Sequence, residues 1–406
     1  MRKFNRWRAW RHVALIAIPG LCFAAGAAAA PARVAPEKPR ARDLGIPFDG
    51  MPGPLNAITD VAGVIVGHTT LISGSGKLQV GKGPVRTGVT AILPRGSDSI
   101  ANPVFAAWFS QNGNGEMTGT TWVEESGFLE GPVMITNTHS VGVVRDAVIQ
   151  WRVANSPADA TGYWWSLPVV AETWDGWLND INGFHVRPEH AIHALASAHA
   201  GRVEEGSVGG GTGMICNGYK GGIGTASRRL IEKSGNYTIG VLVQCNYGTR
   251  ENLRIAGIPV GRDIPAPEPY AFMPSDIAER GSIIVVVATD APLLAHQLKR
   301  LAHRVTLGIG RNGSISGNGS GDIFIAFSTA NSGAAATDRV VDLKMLPNDL
   351  LDPVFRATVE ATEEAIVNAM VAAEDMVGVD DHRVIALPHE ALVATLKKYN
   401  RLAPPQ

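Results

Sequence analysis

Residues 282–290 read SIIVVVATD, and the run Ile283-Ile284-Val285-Val286-Val287 constrains the fold more than any other stretch. Five consecutive β-branched residues show no polar alternation, so the strand they form cannot turn one face to water. A sheet containing it must carry a further layer on each face. Similar strand candidates occur at 61–68 (VAGVIVGH), 88–94 (GVTAILP), 131–137 (GPVMITN), 237–246 (YTIGVLVQCN) and 322–329 (DIFIAFST). Helical periodicity is predicted over 188–201, over 291–305 behind Asp290 and Pro292, and from Asp352-Pro353 to a stop at Gly378. Buried strands interleaved with amphipathic helices predict stacked sheets covered by helices, a layered α/β or α+β architecture. No repeat or low-complexity break divides residues 44–406, which predicts a single domain there.

The N-terminus differs in kind. MRKFNRWRAWRH carries five basic residues and no acid, and the apolar ALIAIPGLCFAAGAAAA that follows ends in alanines. This pattern predicts a secretory signal peptide, residues 1–29, cleaved after Ala29. The apolar run is shorter than the ~20 residues a membrane span needs. The expected mature protein is therefore soluble and exported, to the periplasm or beyond. Residues 30–43 are rich in proline and charge and predict a flexible leader. Removing residues 1–29 takes away five positive charges, so 36 basic residues become 31 against 37 acidic ones, a formal charge of −6. That balance argues against a nucleic-acid partner. Cys216 and Cys245 remain, in apolar surroundings; two buried thiols and one disulfide are both compatible with the sequence.

Several patterns suggest chemistry that the details withdraw. GSGKL at 74–78 lacks the first glycine and the Ser/Thr of a phosphate-binding loop. His190, His193 and His199 share the predicted 188–201 helix, but no HExxH or third acidic ligand accompanies them, so no metal is expected. No GxSxG elbow occurs. The glycine-rich stretch 206–228 lacks a dinucleotide fingerprint and is better explained by close backbone approach.

The junction at the mouth of the buried strand, Gly281-Ser282, carries more. A serine hydroxyl is a poor nucleophile until a base takes its proton. If Ser282 became the first residue of a chain, its own α-amino group, titrating near ~7.7–8, would be that base. Glycine suits the preceding position because it tolerates conformations that push its carbonyl toward the hydroxyl. By itself Gly-Ser before a strand is more often a turn. Two further features strengthen the functional reading. Ser320 and Asp322 end a glycine-rich loop where a strand begins, and at that spacing their side chains point the same way. They could relay the Ser282 proton, or simply bond a turn. Asn246 closes the strand 237–246, where its amide could donate to an oxyanion or equally sit in a turn.

Taken together, NAITDVAGVIVGHTTL (56–71), RTGVTAILPRG (86–96), ITNTHSVGVVRDAV (135–148), ETWDGWLNDINGFHV (172–186), GGGTGMICNGYKGGIGTASR (209–228), GSIIVVVATDAPLLAHQLKRLAHR (281–304) and NGSGDIFIAFSTAN (318–331) resemble the L-aminopeptidase/D-esterase family that includes the β-peptidyl aminopeptidases. The resemblance runs from about residue 42 to the C-terminus. It implies an α+β fold, a four-layer αββα sandwich like that of N-terminal-nucleophile hydrolases but with different strand connectivity. It also implies a precursor that cuts itself into an α chain (about 30–281) and a β chain (282–406), which stay together and assemble as tetramers. By motif position Ser282 matches the nucleophile freed by cleavage after Gly281, Ser320 the second serine, and Asn246 the oxyanion-binding asparagine. Asp322 falls where an acidic partner sits and reaches one methylene less than Glu. Glu172 matches the residue that receives the substrate's free amino group. Trp174 stands where some relatives have a tyrosine and cannot supply a hydroxyl.

Seven of the nine tryptophans (Trp108, Trp122, Trp151, Trp164, Trp165, Trp174, Trp177) fall between 108 and 177. Some of them are expected to line an apolar cleft beside Glu172; core packing or subunit contact explains such residues as readily. The reading predicts a serine aminopeptidase or amidase acting on short peptides or amides with a free amino group, without cofactor or metal. The competing readings are an acyltransferase of the related self-cleaving fold, disfavoured because those enzymes use threonine at this junction, and an inactive periplasmic peptide-binding protein.

Overall fold

The computed structural model describes residues 38–155, 165–267, 269 and 281–403. The expected signal peptide, leader residues 30–37 and Trp164 lie outside them. In chain order the strands are β1 (Ile65–Ser73), β2 (Val85–Leu93), β3 (Val104–Ser110), β4 (Phe128–Leu129), β5 (Val133–Asn137), β6 (Val169–Thr173) and β7 (Ile215–Cys216). They continue with β8 (Tyr219–Lys220), β9 (Gly222–Arg229), β10 (Thr238–Asn246), β11 (Ser282–Thr289), β12 (Ile323–Ser328), β13 (Met376–Val377) and β14 (Arg383–Val384). The helices are α1 (Thr120–Ser126), α2 (Val141–Asn155), α3 (Pro188–Ala196), α4 (Val260–Asp263), α5 (Ala295–Arg311), α6 (Asp352–Val371) and α7 (His389–Lys398).

Two sheets dominate, one in the order β1-β2-β5-β6 and one in the order β4-β3-β12-β11-β10-β9. All eight residues of β11 are buried, as the unbroken apolar run requires. Its side chains alternate between two cores. Ile284 and Val286 face the space between the sheets, where they meet Val66, Ile92 and Ile135 of the smaller sheet. Ile283, Val285 and Val287 face the other way, onto Leu298, Leu301 and Val305 of α5 and Ala361 and Ala365 of α6. A third core joins Val89, Ala91 and Leu93 of β2 to Val144 and Val148 of α2 and Ala194 and Leu195 of α3. The order of layers is therefore helix, sheet, sheet, helix. The approach of α6 depends on Gly224, where a Cβ would stand 2.0 Å from the Ala365 carbonyl oxygen. Most strand pairs are antiparallel; the parallel pairs β5–β6 and β11–β12 are bridged by α2 and α5, as crossover connections require.

Four expectations need correction. Residues 38–43 are packed, not loose: Arg40 pairs with Glu205 at 2.7 Å, Arg42 with Glu364 at 2.7 Å, and Ala41 is fully buried. The helix expected over 188–201 stops at Ala196, because His199 leaves it to pair with Val66 of β1, so the three histidines do not share one helix. The helix expected over 291–305 begins later and runs longer, as α5. The third helix, expected to stop at Gly378, ends earlier, as α6. No helix among the described residues is long and apolar enough to cross a membrane.

Candidate active site

The ends of several strands converge at one edge of the inter-sheet space. Asn246, the last residue of β10, is the register partner of Ser282, the first of β11. Because β12 runs parallel to β11, the loop that precedes it, 317–322, is delivered beside Ser282. On the opposing sheet, β6 ends in Glu172 and Thr173. Gln244 bridges the layers just behind, its Nε2 donating to the Thr136 carbonyl at 3.0 Å and the Thr173 hydroxyl at 2.8 Å.

Ser282 is 4% exposed. Its Oγ accepts a hydrogen bond from the Gly321 N–H at 3.2 Å. The Ser320 hydroxyl donates to Asp322 Oδ1 at 2.6 Å, so the pair expected from their spacing is formed, and both residues are fully buried. Gly281 has φ +135°, and a Cβ added to it would lie 1.8 Å from the Asn246 carbonyl oxygen. Conformation and space both demand glycine here.

Asn246 has a fixed orientation. Its Oδ1 accepts from the Ile215 N–H at 2.7 Å, which leaves Nδ2 as the donor, bonded to the Trp174 carbonyl at 2.9 Å. The residues flanking this contact, Cys216 and Cys245, form a disulfide, which decides the alternative the sequence left open. Lys220, fully buried on β8, braces the same segment by donating to the Met214 and Gly221 carbonyls at 2.8 and 2.9 Å. Burial lowers its ammonium to about 7. Behind Trp174, burial raises the Asp175 carboxyl to about 7, against the opposing effect of hydrogen bonds from Thr87, Asn179 and Asn137.

Glu172 is 3% exposed and accepts from the Glu116 N–H at 3.0 Å and from the Thr138 hydroxyl. Burial pushes its carboxyl above the usual range; those two hydrogen bonds oppose the shift, the nearby Glu116 charge adds to it, and His139 opposes it. Glu172, Trp174, Gly281 and Ser282 line one cavity of ≈ 570 Å³, together with Asn114, Gly115, Glu116, Thr138 and Gly319. Asn246, Ser320 and Asp322 are not among its lining residues; Asn246 pairs with Ser282 across the β10–β11 ladder, and Ser320 and Asp322 flank Gly321, whose N–H reaches Ser282. A larger cavity of ≈ 860 Å³ between Arg228, Arg311 and the start of α6 holds none of the expected site residues.

Of the described tryptophans only Trp174, 37% exposed, lines the site cavity. Trp108 packs against the inter-sheet core, Trp151 against the core under α2 and α3, Trp122 against Trp165, and Trp177 stacks on His382. The glycine-rich stretch works as expected: a Cβ at Gly210 would meet the Gln244 side chain at 2.2 Å, and one at Gly213 the Arg86 carbonyl at 2.3 Å. Among the described residues no three His, Cys, Asp or Glu side chains gather as metal ligands.

Sequence reasoning missed a strap, residues 111–116 (QNGNGE), that grips the 317–322 loop. Asn112 accepts from the Asp322 N–H at 2.7 Å and donates to the Gly317 carbonyl at 2.8 Å. Asn114 donates to the Gly319 carbonyl at 2.8 Å, and the Gln111 N–H to the Asp322 carbonyl at 2.9 Å. In sequence, alternating Asn and Gly signals only a turn.

The model of peptidase family S58 matches residues 56–384. A β-peptidyl aminopeptidase, BapA, of Sphingosinicella microcystinivorans is 56% identical over 390 residues, covering 93% of this chain and 96% of its own. The BapA of Sphingosinicella xenopeptidilytica is 47% identical over 373 residues, covering 88% and 91%. The solved structure of the L-aminopeptidase D-Ala-esterase/amidase of Ochrobactrum anthropi, a prototype for the serine aminopeptidases and a variant of the Ntn hydrolase fold, matches with TM-score 0.84 at 50% identity. It covers 90% of this chain and 100% of its own. The layered α+β architecture described above is this variant.

Proposed function

The chain belongs to peptidase family S58 and is a peptidase, and we propose that it is a serine aminopeptidase/amidase that activates itself by cutting Gly281–Ser282. The observation that carries the proposal is a single cavity holding both the Gly281-Ser282 junction and the buried carboxylate Glu172. In maturation the Ser282 hydroxyl attacks the Gly281 carbonyl carbon. The acyl group passes from nitrogen to oxygen, and water hydrolyses the ester, freeing the Ser282 α-amine. In turnover Glu172 receives the substrate ammonium. Ser282 Oγ, giving its proton to its own amine, attacks the first carbonyl. Asn246 Nδ2, left as the donor because Oδ1 accepts from the Ile215 N–H, exchanges its bond to the Trp174 carbonyl for one to the developing oxyanion. The amine, with Ser320 and Asp322, returns the proton to the leaving nitrogen, and water releases the acyl-enzyme. No cofactor enters these steps.

The substrates proposed are short peptides, amides and esters with a free amino group, carrying α-, β- or D-residues, in line with what the named relatives act on. Residues 1–29 support export to the periplasm, and the family resemblance supports tetramers of αβ units. Intact mass spectrometry of the denatured protein, with N-terminal sequencing, tests the reading. Two chains are expected, the smaller starting Ser282-Ile283-Ile284, and Ser282→Ala should yield one. A single uncut wild-type chain would overturn self-activation and favour a peptide-binding role.

A further inference from the structure

The site cavity contains a second carboxylate that the proposed mechanism does not use. Glu116 lines the same ≈ 570 Å³ space as Glu172 and Ser282, and it is exposed where Glu172 is buried. Its backbone N–H holds Glu172, but among the described residues its side chain makes no ion pair or hydrogen bond. Its charge nevertheless reaches the amine anchor, since it is one of the causes that raise the Glu172 carboxyl. Among the described residues no lysine or arginine lines the cavity to balance the two acids. Trp174, half exposed, supplies an aromatic wall beside them.

When one ammonium binds, it satisfies Glu172 and leaves Glu116 facing the rest of the N-terminal residue. We propose that Glu116 selects substrates whose N-terminal residue carries a second cation at the end of an aliphatic side chain, such as lysine or ornithine. The inference rests on the aminopeptidase reading above. The aliphatic stem lies along Trp174, as long cationic side chains commonly cover apolar surface. The terminal ammonium meets Glu116 at the solvent side, where an ion pair contributes modestly and is weakened by salt. The chemistry of attack is unchanged; only the population of correctly seated substrate rises.

The test compares kcat/KM for the p-nitroanilides of lysine and norleucine, matched in stem length and differing in charge, in the L, D and β-homo series, with wild-type enzyme and Glu116→Gln. The wild type should prefer lysine roughly two- to fivefold, the scale of one partly exposed ion pair. The preference should shrink with added salt and fall to near unity in the variant. The ratio is the readout, so a general loss of activity in the variant does not mimic the effect. A wild-type ratio near one, or a preference that survives in Glu116→Gln, overturns the inference while leaving the aminopeptidase reading intact. Hydrolysis of neither anilide in any series overturns that reading, and this inference with it.

Discussion

Replacing Gly281 by alanine should stop maturation without unfolding the protein. At φ +135° an L-residue is strained, and the new Cβ would stand 1.8 Å from the Asn246 carbonyl oxygen, where real contacts do not go below 3.0 Å. Backbone strain of this kind costs about 1–3 kcal/mol. At ~1.36 kcal/mol per tenfold, that alone slows attack by roughly five- to 150-fold. Relief of the contact needs a displacement of 3.0 minus 1.8, or 1.2 Å, of the Gly281 backbone. A shift of about 1 Å in a reacting group can cost on the order of a hundredfold. The two effects overlap, because movement that relieves the clash also relaxes the strain, so the combined prediction is a slowing of at least about a hundredfold. The assay follows the fraction of cut chain by intact mass after cell-free synthesis. Thermal melting of the uncut variant should remain cooperative. Maturation of Gly281→Ala within about threefold of the wild-type rate would refute the reasoning, because the junction would then not depend on glycine geometry.

Glu172→Gln should depress turnover of free-amine substrates far more than of N-acetylated ones; equal losses would remove Glu172 from amine binding. Because burial raises its carboxyl and the ionised form binds ammonium, wild-type kcat/KM should fall on acidification at a higher pH than for an exposed glutamate, and the variant should lack that limb. Asn112→Ala removes two of the four bonds by which the strap holds the 317–322 loop, and kcat should drop about tenfold or more with little change in KM, two hydrogen bonds of ~1 kcal/mol each setting the scale; a pure KM effect would contradict a positioning role. Asp175 and Lys220 together should give stability a minimum near pH 7. From about 3.8 to about 7 the native state keeps the Asp175 proton that the unfolded chain releases, so stability falls as pH rises by about 1.4 kcal/mol per unit. From about 7 to 10.5 the native state has already lost the Lys220 proton, so stability recovers at a similar slope. Urea midpoints against pH should show this, with Asp175→Asn flattening the acid side and Lys220→Met the alkaline side; parallel curves for both variants would sink the assignment.

Features governed by neighbours in sequence were legible. The all-apolar β11 had to be a strand covered on both faces, and the two-residue spacing of Ser320 and Asp322 brought their side chains together. The four-layer order came from the family resemblance, since periodicity specifies layers but not their connection. What could not be read depends on partners far along the chain. Arg40 and Arg42 look like a solvated leader until Glu205 and Glu364, 165 and 322 residues away, neutralise them. Asn112 looks like a turn residue until a loop 205 residues later arrives against it. The early end of α3 has the same origin, a strand partner on β1 that competes with the helix for His199. Within the site, sequence and family motif named the residues proposed to react, while those that hold them emerged only from tertiary contact.

The strand order of the larger sheet has a consequence for timing. β11 and β12, the two strands of this sheet that follow Gly281, lie side by side between β3 and β10, which precede it. A break before Ser282 thus leaves the later segment bonded on both flanks, with its strands in the interior of the sheet rather than at an edge. The reverse dependence matters more. Ser282 meets Asn246 only through the β10–β11 ladder, and Gly321 only once β12 has docked. The proposed self-scission would therefore be a test that an incompletely assembled molecule cannot pass, and an irreversible record that assembly was finished before the enzyme could act on anything else.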